Sequence, residues 1–115
     1  MTIRILLGVS SPWREALRAA ADRAADVQVV GTSDAPFDTL LKVGKLRADV
    51  VVVEAAATGE PPGVVTHLLA EYPGVTVLSV TGDRATLYLW RLAEVPVADL
   101  SPAGLLDAVR TATGG

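Results

Sequence analysis

Four consecutive valines, Val50 to Val53, sit between Asp49 and Glu54, and apolar, largely β-branched runs of this kind recur along the chain. The others are Ile3 to Val9, Val27 to Val30, Val75 to Val80 and, more weakly, Val95 to Ala98. A strand that is apolar at every position has no face to offer water, so it belongs in a parallel sheet covered by helices on both sides. The segments between the runs carry helical periodicity and end signals. Ser11 and Pro12 read as N-cap and first residue of a helix with Leu17, Ala20, Ala21 and Ala24 on one face. Pro36 opens a second helix with Phe37, Leu40, Leu41 and Gly44 in register, and Pro62 a third with Val65, Leu68, Leu69 and Tyr72 inward, stopped by Pro73-Gly74. Ser101-Pro102 starts the last, with Leu105, Leu106 and Val109 inward. The 115 residues accommodate this α/β alternation with little left over. The expected fold is one doubly wound α/β domain over residues 1–115, with five parallel strands, right-handed crossovers and helices on both faces.

The segment Arg84 to Glu94 is read as the fourth helix, with Ala85, Tyr88, Leu89 and Leu92 on one face while Leu87 and Trp90 fall on another. Thr86 to Trp90 also reads as a strand by alternation. Pro96 removes a donor from the fifth strand, which places that strand at a sheet edge.

Composition narrows the function. The chain has no cysteine, which removes thiol catalysis, Cys-ligated zinc, iron–sulfur clusters and disulfides, and its single histidine, His67, precludes a His-rich metal site. A net charge of −3 with scattered Arg and Lys gives no basic stripe for nucleic acid. The run Ile3 to Val9 is too short to span a bilayer, and no small-residue cleavage site follows it, so the expected location is cytoplasmic, without a membrane anchor. His67 and Glu71 fall mid-helix, away from the strand ends, and read as surface residues; Asp83 and Asp99 read as capping or loop acids.

In an open parallel sheet the functional crevice lies beyond the carboxyl ends of the strands. Here those ends are Gly8 to Ser11, Gly31 to Asp34, Glu54 to Ala57, Thr81 to Asp83 and Ala98 to Ser101. Four stretches in this order carry a resemblance: IRILLGV with REALRA, VQVVGTS, ADVVVVE, and AEYPGVTVLSVT, followed by the closing DLSPAGLLDAVRTA. Together they resemble the receiver domain (CheY-like) of bacterial response regulators, most closely the receivers joined to LuxR-type (NarL/FixJ-like) DNA-binding domains. The resemblance spans the whole chain and implies a flavodoxin-like (CheY-like) sheet of five parallel strands in the order 2-1-3-4-5.

The resemblance implies an acceptor aspartate at the end of strand three, two acids after strand one that hold Mg²⁺, a Thr or Ser after strand four and a lysine after strand five. This chain has Glu54 at the acceptor position, Gly8-Val9-Ser10-Ser11 where the acids belong, and Ala98 at the lysine position; Thr81 is retained. One glutamate and hydroxyls make a poor site for a hard divalent cation, and phosphoryl transfer relies on positioning and charge stabilisation that these residues do not supply. The expectation is a degenerate pseudo-receiver with no catalytic residue, metal or cofactor. Glu54 reads either as a weak, fixed mimic of the phosphorylated state or as a solvated strand-end acid. Val9, Ser10, Ser11, Thr81 and Ala98 are the candidate pocket, with the hydroxyls beside a helix N-terminus that favours anions; plain capping by the serines is the competing reading.

Receivers signal through the surface of helix four, strand five and helix five. In this chain that surface carries Leu87, Tyr88, Trp90 and Pro96, an apolar patch suited to a protein partner or a homodimer; packing of Tyr88 and Trp90 within the domain is the alternative. The family's aromatic switch position falls on Val95, so that switch is expected to be absent. The chain stops after the last helix, so a DNA-binding part is expected to be missing or supplied by a partner. The functional expectation is a phosphorylation-independent interaction or dimerisation module in signalling or transcription regulation, not an enzyme. Two alternatives are a sensor binding a small molecule in the vacated acidic pocket and, lower in rank, a small flavodoxin-like enzyme.

Overall fold

The computed structural model describes residues 2–54, 63–81, 85–88 and 94–114. In chain order the elements are β1 (Ile3–Gly8), α1 (Trp13–Asp22), β2 (Val27–Thr32), α2 (Pro36–Leu46), β3 (Val50–Glu54), α3 (Gly63–Glu71), β4 (Thr76–Val80), β5 (Ala85–Tyr88), β6 (Glu94–Val97) and α4 (Pro102–Gly114). They form one sheet in the order β2-β1-β3-β4-β5-β6. β1 pairs in parallel with both β2 and β3, and β3 with β4. The doubly wound α/β reading holds for this part of the sheet.

Alternate strand residues point to opposite faces, and each face has its own helical cover. Ile5, Leu7, Val50, Val52, Leu78 and Val80 pack with Leu17 and Ala21 of α1 and Leu105, Leu106 and Val109 of α4. Leu6, Val51, Val53 and Val77 pack on the other side with Val43 of α2 and Val65, Leu68 and Leu69 of α3. The valine run is thus buried at every position, half of it under each helix pair. None of the described helices is long and apolar enough to cross a membrane.

One ion pair and one cap hold α4 in place. The Arg110 guanidinium of α4 grips both oxygens of Asp26, just ahead of β2, at 2.8 and 3.1 Å, a bidentate pairing that fixes direction as well as distance. Ser101 caps α4 as the sequence indicates: its hydroxyl accepts from the Gly104 N–H at 3.0 Å and Pro102 takes the first helical position. Gly104 is obligatory there, because a Cβ would lie 2.3 Å from the Asp99 carboxyl carbon.

The structure corrects the sequence reading in three places. The segment read as a fourth helix begins as a strand instead: β5 runs antiparallel to β4, and β6 antiparallel to β5. Only four residues, 81–84, separate β4 from β5, and with Gly82 and Asp83 among them this is a hairpin-length link rather than a crossover. Ala85 and Leu87 then point under α4 while Thr86 stays half-buried on the other face, so period-two alternation decides the segment. The last strand keeps the direction of β1 but moves one place outward, and Pro96 stands on the free edge as expected.

The second correction is the phase of α2. Phe37 and Leu41 are 72% and 58% exposed, Gly44 is exposed and Leu40 is half-buried. Thr39 and Val43 are buried in their place. The buried Ser33 and Thr39 hydroxyls meet at 2.7 Å, and Thr39 donates its one proton to the Ala35 carbonyl, so Ser33 is the donor between them. This satisfied polar pair lets a threonine take the inward position and turns the larger side chains out. The third correction is the start of α1: no side chain caps it, Pro12 is its N-cap residue, and the Ser11 hydroxyl instead donates to Glu15, a charged and therefore stronger acceptor.

Two substitutions check this description. Thr86→Ala is expected to destabilise by about 0.5–1 kcal/mol in denaturant unfolding, as a β-branched residue lost from a strand, whereas in a helix alanine would stabilise. Ser79 on β4 is 2% exposed and its hydroxyl has no hydrogen-bond partner. Ser79→Ala removes that unsatisfied group and is expected to raise stability by about 1 kcal/mol.

Candidate functional site

Parallel pairing of β1, β3 and β4 brings their carboxyl ends to one edge of the sheet, and Glu54 is the last residue of β3. Its carboxylate Oε1 accepts from the backbone N–H of Ser10 and, at 2.5 Å, from the Ser10 hydroxyl. These two bonds, the hydroxyl's first and the amide's second, hold the Glu54 carboxyl below the usual glutamate range; the Arg14 charge adds to the effect and desolvation opposes it. Glu54 is therefore an ionised acid clasped by the segment that follows β1.

Arg14, in the first turn of α1, is the residue that sequence reasoning missed. Its Nε donates to the Val9 carbonyl at 2.8 Å, and its Nη2 reaches Asp34 at 2.8 Å and the Ser33 carbonyl at 3.3 Å. One guanidinium thus ties the end of β1 to the end of β2 and leaves a fixed positive charge over this edge of the sheet. Hydrogen bonding to Arg14 lowers the Asp34 carboxyl as well. The available signal was an arginine five residues beyond the end of an apolar strand, in the first turn of a helix whose preceding carbonyls need a donor. Beneath it, Gly8 admits the Ser33–Thr39 pair: a Cβ on Gly8 would lie 3.0 Å from the Ser33 hydroxyl and from the Val52 carbonyl.

The remaining sequence candidates divide between this edge and other places. Ser10 meets Glu54, and Thr81, half-buried, follows β4 at the same edge. Val9 is buried in the core under α1 and α4, and Ser11 is exposed and bonded to Glu15. Ala98 does not join them, because β5 stands between β4 and β6 and carries the residues after β6 two strands away from Thr81. Ala98 instead borders an open groove of about 490 Å³ between β6 and α4, whose wall includes Pro96, Val97, Ala108 and Ala112. Asp99 caps rather than reacts: the Ser101 N–H bonds its carboxylate at 3.0 Å and, with the Ser101 hydroxyl, lowers it.

Of the expected interaction face, Pro96 is exposed on the edge strand. Leu87 is 4% exposed, contrary to its reading as a surface residue, because the β5 alternation turns it under α4; it contributes to the floor of the same groove. Trp90 and Asp83 and the side chains of Tyr88 and Val95 lie outside the described residues. His67 and Glu71 are exposed on α3, as read.

Two solved structures are similar over most of the chain. The non-phosphorylated receiver domain of the stress response regulator RcsB from Escherichia coli matches with a TM-score of 0.62 at 14% identity, over 95% of this chain and 75% of that one. The isolated RcsB receiver (REC) domain from Salmonella enterica serovar Typhimurium, solved in the presence of the phosphomimetic BeF3−, matches with a TM-score of 0.58 at 17% identity, over 72% of this chain and 65% of that one. The fold is that of a receiver domain. No protein-family model and no curated protein sequence matches the chain.

The clasp has a pH signature. A carboxyl whose folded pKa is depressed adds stability that is present above its unfolded value, about 4.3, and is lost as pH falls through the lower folded value. In carboxyl-detected NMR, Glu54 is expected to titrate below the ordinary glutamate range, and Ser10→Ala is expected to move it up toward that range. An unchanged midpoint in the variant would show that the Ser10 hydroxyl does not hold the carboxylate.

Proposed function

We propose that this chain is a pseudo-receiver: a receiver-fold signalling domain that does not use the aspartyl-phosphate switch and acts as a protein-interaction module. The observation that carries the reading is the commitment of the Glu54 carboxylate to Ser10. In the receiver fold this edge is where a divalent cation and a phosphoryl group would be held, and the donor set present does not fit them. A hard cation needs about six oxygen ligands with carboxylate help. Here Glu54 is hydrogen-bonded by Ser10, Asp34 is turned to Arg14, and Glu15 receives the Ser11 hydroxyl. Among the described residues, no three His, Cys, Asp or Glu side chains are grouped as metal ligands would be.

Arg14 is paired with Asp34 and adds only a minor field at Glu54, whose charge is met chiefly by the two Ser10 donors. The Ser10–Glu54 contact joins the ends of β1 and β3 directly through the protein's own groups. Receiver domains act by engaging protein partners or pairing with one another, and the surface suited to that role here is the edge formed by β6 and α4. It presents an apolar groove beside Pro96, and Pro96 blunts the edge against simple strand addition. A side-chain-lined groove, rather than backbone pairing, is thus the means of recognition.

The test is an amide NMR titration of the labelled protein with Mg²⁺ and then beryllofluoride. The resonances of Ser10, Glu54 and Thr81 are expected to stay in place. Saturable shifts at Ser10 and Glu54 would overturn the proposal, since they would mean that the clasp opens to admit a cation.

A further inference from the structure

The register of the outer sheet leaves the last strand a second place to dock. Because β5 is antiparallel to both its neighbours, β6 runs parallel to β4. The pairings also carry the level of β4 across unchanged: Val80, Ala85 and Val97 lie in one row, Ser79, Thr86 and Pro96 in the next, and Leu78, Leu87 and Val95 in a third. Residues in one row share a face of the sheet. If β5 withdraws, β6 reaches β4 by a sideways step of one strand spacing, about 4.8 Å, with no slip along the strand and no change of face. Val97 then takes the place of Ala85 under α4 and Val95 that of Leu87, apolar for apolar. Pro96 stands on the outermost strand either way, where its missing donor is tolerated.

The residues of β5 have a second way to pack. Residues 81–93 join β4 to β6, and a crossover between parallel strands needs about a dozen, usually as a helix. Within them Ala85, Tyr88, Leu89 and Leu92 fall on one helical face. A right-handed crossover continuing outward from β3 and β4 lays that helix on the α3 side of the sheet. This is the less covered side of the outer strands: Thr86 is half-buried and Pro96 exposed there, while Ala85 and Leu87 are buried on the α4 side. We propose that β6 exchanges between two positions, the edge beyond β5 and a place directly against β4 with β5 refolded into a crossover helix. The inner position is the minor one, at roughly 0.1–10%. The step carries Val97 under α4 and takes Leu87 out of the groove floor, so the β6–α4 groove is open only in the edge position. The exchange thereby regulates that surface, and this consequence alone rests on the role proposed for the groove.

The chain has no cysteine, so engineered pairs report without background. Ser79→Cys with Thr86→Cys joins facing residues of β4 and β5. Ser79→Cys with Pro96→Cys joins residues two strand spacings apart, about 9–10 Å, beyond the roughly 7 Å that a disulfide can bridge. The Ser79 hydroxyl has no hydrogen-bond partner, so its exchange for a thiol breaks no bond. Both variants are oxidised under native conditions, after the reduced forms have been matched to the wild type by circular dichroism. The Ser79–Thr86 pair is expected to close promptly. The Ser79–Pro96 pair is expected to close to completion but more slowly, each visit to the inner position being trapped, and its folded product to gain helical ellipticity over the reduced form. Adding Thr86→Ala, which replaces a β-branched residue by the best helix former, is expected to speed that closure about threefold. Where the Pro96→Cys variant fails to fold, Val80→Cys with Val97→Cys in the next row makes the same test on the α4 face. A cross-row pair that stays reduced while Ser79–Thr86 closes overturns the proposal. A cross-linked product without added helix, or a closure rate indifferent to Thr86→Ala, overturns it equally. These readouts involve no partner, so a failed role for the groove leaves them unchanged.

Discussion

The central strands β1, β3 and β4 have no side that can face water, and the rest of the molecule follows from covering them. Each apolar residue buried is worth roughly 1.5–3 kcal/mol, and a strand buried on both faces obtains that only if helices pack above and below it. Helices reach both faces when the chain leaves each strand, crosses and re-enters in parallel. Parallel entry then places the carboxyl ends of β1, β3 and β4 at one edge of the sheet. Ser10 and Glu54 are forty-four positions apart in sequence and become neighbours for that reason.

What happens at that edge is a redistribution of charge rather than a loss of structure. A carboxylate ends β3, a guanidinium spans the ends of β1 and β2, and hydroxyls and a backbone amide complete the contacts. Such a site is held by hydrogen bonds that are already made, and a new ligand would have to replace them. Replacing a fourth crossover helix by the β5–β6 pair also leaves α4 bordering an edge strand, with the groove along that edge open to the surface.

Much of this was legible in the chain because burial leaves a mark on residue type. The positions of β1 to β4 and of the last strand, the inward stripes of α1, α3 and α4, the cap at Ser101 and the edge location of Pro96 all follow from local pattern. The Ser10–Glu54 neighbourhood was legible as well, since both residues fall at ends of adjacent parallel strands. Three features resisted. Residues 84–94 satisfy a helical face and an alternating one at once, and the short link after β4 decided between them. The phase of α2 depended on the Ser33 hydroxyl donating to Thr39, which itself donates to the Ala35 carbonyl, a chain of bonds between a strand end and a helix that neither segment announces. Arg14 looked like one scattered cation among several, because its importance lies in the carbonyls of Val9 and Ser33 and the carboxylate of Asp34, and only the folded chain brings these together.

By itself, the sequence determined which segments lie in the core and that the sheet would be covered on both faces, because hydrophobic burial acts on each segment through its own periodicity. Only the tertiary structure decided how polar and charged groups are matched: which acid Ser10 clasps, where the Arg14 charge rests, and which side of α2 is left facing out. Hydrogen bonds and ion pairs are short-ranged and directional. Their partners come from different elements, so their selection waits until the strands have fixed the distances between those elements.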